Sequence, residues 1–113
     1  MKHFKNQFAQ GDVFFIRVPH LPKDVKKIKP QNDQVIVAHS ETGHHHVMDA
    51  KHTTMYRLPE ELYECFLVVD EHGDVLKHLR DFDTHESVRF EPGIYKAFNQ
   101  LEYTPEGLRP VAD

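Results

Sequence analysis

The stretch His39-Ser-Glu-Thr-Gly-His-His-His46 puts four of the ten histidines of this chain into eight positions. It follows the apolar run Val35-Ile-Val-Ala38, so it reads as a strand, a tight turn over Ser40–Gly43 and a returning strand that opens with histidine. In a regular four-residue loop His39 lies opposite His44. The period of two then sets His39, His44 and His46 on one face and His45 on the other. Three converging imidazoles are a ligand set for a divalent transition metal such as zinc, iron, nickel or manganese, with neutral ring nitrogens binding zinc at about 2.0–2.1 Å.

A further ligand has to come from elsewhere in the chain. His85 is the candidate, because it precedes a short strand, Val88–Phe90, that the Pro92-Gly93 turn folds back toward the core. Glu41, Asp83 and Glu86 could complete the shell or act as general base to a metal-bound water, Glu41 being the nearest to the cluster in sequence. The competing reading is a polar hairpin tip whose histidines meet only water, or pair with Glu41 and Asp49. Against it, the same face continues as Val35, Val37 and Met48, so these imidazoles are expected to be enclosed, and an enclosed imidazole needs a partner. His72 and His78 flank a second turn and read as surface residues, while His3, His20 and His52 stand outside the site. Three histidines without a fixed fourth ligand favour an open coordination position, and the proline-rich stretch Pro19–Asp33 could cover it.

The elements that must position these residues are short strands. Gly11-Asp12 opens Val13–Val18, rich in β-branched and aromatic residues and stopped by Pro19. Pro19–Asp33 holds three prolines and reads as a long surface connection without regular structure. Gln34–His39 and His44–Ala50 form the central hairpin, and Thr53–Leu58 follows. Leu62–Val69 and Val75–Leu79 read as a second hairpin around Asp70–Asp74, with Gly73 where a turn often needs positive φ. Ile94–Tyr103 reads as one last strand, and the two prolines of the tail leave room for a single turn at Pro105. The expectation is an all-β domain spanning residues 1–113, a small barrel or sandwich.

Composition narrows the function. A formal charge of −4 and a pI of about 6.2 argue against a general nucleic-acid binder. The one basic cluster, Lys23, Lys26, Lys27 and Lys29, reads as a solvated loop. Cys65 is the only cysteine, which excludes an internal disulfide, and it reads as a buried small hydrophobe. No run approaches the roughly eighteen apolar residues of a membrane span, and the N-terminus lacks an apolar signal core, so the expectation is a soluble cytoplasmic protein. Phosphate-cradling Gly-rich loops, H-E-x-x-H and Gly-x-Ser-x-Gly elbows are absent. Tyr95 and Tyr103 are candidates for lining a pocket.

Two resemblances attach to these residues. His44-x-His46 followed by a later histidine in an all-β chain resembles the cupin pattern, which implies a divalent metal inside a barrel. Here Asp49 stands where cupins carry glutamate, and Pro92-Gly93 has no histidine after it. Gly11-Asp12-Val13, Thr42-Gly43-His44-x-His46, Pro92-Gly93-x-Tyr95 and Glu102-Tyr103-Thr104-Pro105 together resemble a group of small bacterial and phage-encoded β-proteins. That likeness implies a shared fold, a shared histidine site and a phage or mobile-element origin.

Two functions follow as expectations. One is a metal-binding protein using His39, His44, His46 and His85. The other is an interaction module, binding a host or structural protein, with incidental histidines. The mixed outer face of Ile94–Tyr103 suggests an edge strand covered by a second copy, a homodimer with Phe98 near the interface.

Overall fold

The computed structural model describes residues 2–10, 13–38, 46–59, 61, 64–78, 87–99, 101–104 and 107–110. Alternating apolar residues build two sheets. The first contains β1 (Lys2–His3), β5 (Gln34–Ala38), β6 (His46–Asp49), β9 (Asp74–His78) and β10 (Val88–Phe90), in the order β1-β10-β9-β6-β5. The second contains β2 (Gln7–Gln10), β3 (Val13–Val18), β4 (Lys26–Ile28), β7 (Thr53–Arg57), β8 (Glu64–Val69) and β11 (Gly93–Asn99), in the order β2-β3-β11-β8-β7-β4. Pairing is antiparallel except for β1 on β10. A separate ribbon pairs β12 (Leu101–Thr104) with β13 (Gly107–Pro110). Among the described residues both sheets keep two edges, so the expected all-β class takes the form of an open sandwich and not of a closed barrel.

The core lies between the sheets. Val35, Val37, Met48, Leu76, Val88 and Phe90 come from the five-stranded sheet and meet Val13, Phe15, Met55, Cys65, Leu67 and Tyr95 from the six-stranded one. Phe90 is the hub of an aromatic cluster, with ring centroids 4.7 Å from Phe4, 4.8 Å from Tyr95 and 5.4 Å from Phe15. The Tyr95 hydroxyl donates to the Glu91 carbonyl at 2.6 Å, which satisfies its polar end. Tyr95 is therefore a core residue, and its candidacy for lining a pocket falls. Burial pushes its phenol pKa up, against the lowering effect of the Arg17 guanidinium.

Several expectations change. The stretch 70–74 is a corner and not a hairpin turn, because β8 lies between β7 and β11 while β9 lies between β6 and β10 in the other sheet. Gly73 has φ +71, as the turn chemistry required, and a Cβ there would come within 2.8 Å of the Phe90 carbonyl oxygen. Pro19–Asp33 contains the edge strand β4, which fits between Pro22 and Pro30 because three residues suffice for an edge. The long last strand is two, and β11 is interior, flanked by β3 and β8. The edge-strand argument for dimerisation therefore falls.

Two corners are tied together by one carboxylate. Asp74, 7% exposed, accepts at Oδ2 from the Asp49 N–H (2.9 Å) and the Thr53 hydroxyl (2.6 Å), and at Oδ1 from the Val75 N–H (2.7 Å). Beside it Asp70 accepts from the His72 N–H at 2.9 Å and meets the His52 ring nitrogen at 3.1 Å. A desolvation that raises its pKa is outweighed by these two partners, which hold the Asp70 carboxyl below its usual 3.8.

Thr53→Val is expected to destabilise the fold by about 1.5–3 kcal/mol, the range for a hydrogen bond to a charged group. An unchanged urea midpoint would remove Asp74 from its central role. Asp70→Asn is expected to lower the midpoint at pH 7. Because the folded-state pKa is depressed, this contribution is present above 3.8 and is lost as pH falls through the lower folded value. The gap between variant and wild type should therefore close on acidification, and a gap independent of pH would contradict the assignment.

Candidate functional site

The histidine stretch begins where β5 ends. Pairing runs Gln34↔Asp49, Val35↔Met48 and Ile36↔Val47, the register that would set His39 across from His44. A bulge then intervenes. Ala38 pairs with His46, leaving Val37 as the extra residue, so the even register is interrupted before the turn. The Cys65 thiol points at the Val37 carbonyl oxygen, 3.9 Å away, and so reaches the residue that the ladder leaves out. Burial pushes that thiol up to about 12, opposed by the Arg57 charge, which makes it a small core hydrophobe as expected and a poor nucleophile.

His46 is 1% exposed and shares the core-facing side of β6 with Met48, in line with the expected enclosure. On its other flank its register partner is His78, the last residue of β9. Ala38, His46 and His78 thus align across three neighbouring strands. The chain segments that bear the other proposed ligands, 39–45 and 79–86, connect to the strands at this one end of the sheet. His39, Glu41, His44, His45, Asp83, His85 and Glu86 lie outside the described residues. Among the described residues no group of three His, Cys, Asp or Glu side chains is placed to hold a metal ion.

A different histidine pair comes together at the corners. The rings of His52 and His72 stand 5.3 Å apart with Asp70 beside them, although the sequence alone sets His52 outside the site and reads His72 as a surface residue. They belong to separate turns twenty positions apart, which meet only because both turns cross between the same two sheets. A signal was present. Asp49 and Asp70 each end an apolar run and each accept the N–H two residues on, from Lys51 (2.8 Å) and His72 (2.9 Å), so two matching Asx turns carry the histidines.

An open depression of about 680 Å³ lies near the same corners, lined by Asp33, Val47, Asp49, Lys51, Asp74 and Lys77 among others. Val47, Val75 and Lys77 lie on the side of β6 and β9 opposite the core residue Leu76 and line most of the depression, which also reaches Met48. Its charges are of both signs and select no ligand class. Among the described residues no helix is long and apolar enough to cross a membrane.

Comparison of the chain with curated proteins and with solved structures returns no match. A domain of unknown function, DUF8820, matches residues 9–100, and the chain therefore belongs to the DUF8820 family.

Proposed function

We propose that this protein binds a divalent transition metal through its histidine cluster, with His46, His39, His44 and His85 as ligands. The observation that carries the reading is the alignment of Ala38, His46 and His78, which starts both histidine-bearing segments from one end of one sheet. His46 contributes from a buried strand position, the kind of support a metal site requires. Zinc, iron, nickel and manganese all suit an imidazole set. If a coordination position stays open to water, Glu41 is the general base to test. The free, buried Cys65 fits a reducing, cytoplasmic setting.

A second reading is favoured by the outer face of the six-stranded sheet. Phe14, Ile16, Val68, Ile94 and Phe98 alternate with core residues, are half-buried, and share the face turned away from the core. The rings of Phe14 and Phe98 stack at 5.8 Å, and Lys96 pairs with Glu64 at 3.2 Å on the same face. Such a face suits an interaction module, phage-encoded or cellular, and its simplest partner is a second copy. Phe98 keeps its place in that homodimer, now as a face residue and not an edge residue.

Protein purified without a nickel column is expected to carry about one equivalent of metal at pH 7.5 and to release it between roughly pH 6 and 5, as imidazoles with an ordinary pKa near 6.5 protonate. His44→Ala and His85→Ala should each lower the metal content, and they avoid the buried His46. Metal-free native protein, or retention of metal at pH 5, would sink the reading. The homodimer is checked by light scattering at micromolar concentration. A dimer that Phe98→Glu converts to monomer is expected, and a single 13.3 kDa species in the wild type would refute it.

A further inference from the structure

Among the described residues, the open flank of the sandwich between β4 and β5 carries cations with no carboxylate paired to them. Lys26 pairs in register with Arg57, Lys27 with Tyr56 and Ile28 with Met55. Met55 is buried and Ile28 packs on the core, while the register places the half-buried Arg57 directly across from Lys26, whose side chain is exposed, so two cations stand opposite each other at the rim of the pair. Like charges in that position destabilise a strand pair unless an anion lies between or beside them. Glu64, on the strand next to β7, is engaged by Lys96 instead. The Arg57 Nε–H is fully shielded from solvent and has no hydrogen-bond partner among the described residues. A guanidinium carries five donors and no acceptor, and a buried donor left without a partner is costly.

This side chain borders a small cleft of about 110 Å³, room for roughly three or four waters or an equivalent small molecule. Arg57 and Lys29 supply its positive charge, while Ile28, Val35, Ile36 and Met55 give it an apolar floor. The backbone around it is preset. Asn32 and Asp33 both have positive φ (51 and 61), and Gln31 and Gln34 exchange two backbone hydrogen bonds of 2.9 Å, a tight turn that delivers β5 to the cleft.

We propose that this cleft binds a small organic carboxylate, with the carboxylate on the Arg57 guanidinium and a short apolar tail on Ile28, Val35, Ile36 and Met55. An arginine fork matches a carboxylate in two parallel bonds and would satisfy the buried Nε–H. Lys29 adds charge at the cleft, and an anion on Arg57 offsets the positive charge that Lys26 sets across from it outside the cleft. The site is separate from the histidine segments and does not depend on metal.

Calorimetric titration of the whole chain with sodium butyrate, against acetate, phosphate and chloride at equal ionic strength, tests it. One saturable site for butyrate is expected within about 10 mM, the range open to so small a ligand. Acetate should bind on the order of tenfold more weakly, having lost two buried methylenes. Arg57→Met should abolish butyrate binding while leaving the ligand-free melting temperature unchanged or higher, since it removes the unsatisfied donor. Lys26→Glu, which places a carboxylate opposite Arg57, should raise the ligand-free melting temperature and weaken butyrate at least tenfold. Absence of binding to the wild type, equal binding to Arg57→Met or Lys26→Glu, or phosphate binding more tightly than butyrate would each overturn the proposal.

Discussion

The Asp74 carboxylate is the point where the two sheets are held together. It opens β9 in the five-stranded sheet, bonds the Thr53 hydroxyl that opens β7 in the six-stranded sheet, and takes the N–H of Asp49 at the end of β6. A sandwich whose successive strands change sheets must turn corners, and at each corner backbone donors leave the ladder and need another acceptor. An aspartate is short enough to sit inside a corner and offers two oxygens with several lone pairs, so one side chain can serve two crossings. Phe90 stands opposite Asp74 in the register of β10 on β9, so the polar tie and the aromatic hub lie at the same level of the fold. Misplacing the corner would shift the register that sends Phe90 into the core.

Much of the fold was legible because strand existence depends on local composition. Val13–Val18 is the strand read from its β-branched and aromatic residues, and the all-β class followed from many such runs. Partner choice was not legible. Asp70-Glu-His-Gly73 carries the same turn chemistry whether the next strand returns beside β8 or crosses to the opposite sheet, and only burial on both sides decides. β8 has both flanks taken by β7 and β11, so β9 had to go elsewhere. The mixed outer face of β11 misled for a related reason. Alternating Lys96 and Phe98 looks like an edge, yet it is the solvent side of an interior strand whose other face, Tyr95 and Ala97, is fully in the core.

The candidate sites divide in the same way. Enclosure of His46 could be foreseen from the apolar face it continues. The bulge at Val37 could not, since nothing in Val35-Ile-Val-Ala38 distinguishes a regular strand from one with an extra residue. The cationic cleft was hidden more deeply. Lys29 reads as part of a solvated loop and is exposed, while Arg57 belongs to another strand, so the cleft they share arises only from the pairing of β4 with β7. A buried donor without an acceptor has no sequence signature at all.

β5 connects these observations, because it borders both candidate sites. Val35 and Ile36 line the cleft at one side of the bulge, and Ala38 leads into the histidine stretch at the other. An edge strand with straight, flat pairing would offer one surface along its length and would invite pairing with another chain. The inserted Val37 changes that by bending the strand, offsetting the register by one and leaving a residue outside the ladder. The buried Cys65 thiol lies against the Val37 carbonyl at 3.9 Å, so the bulge packs on the core. Five residues can in this way present an apolar, cation-rimmed cleft on one stretch and a histidine-bearing end on the next, without either surface having to share the register of the other.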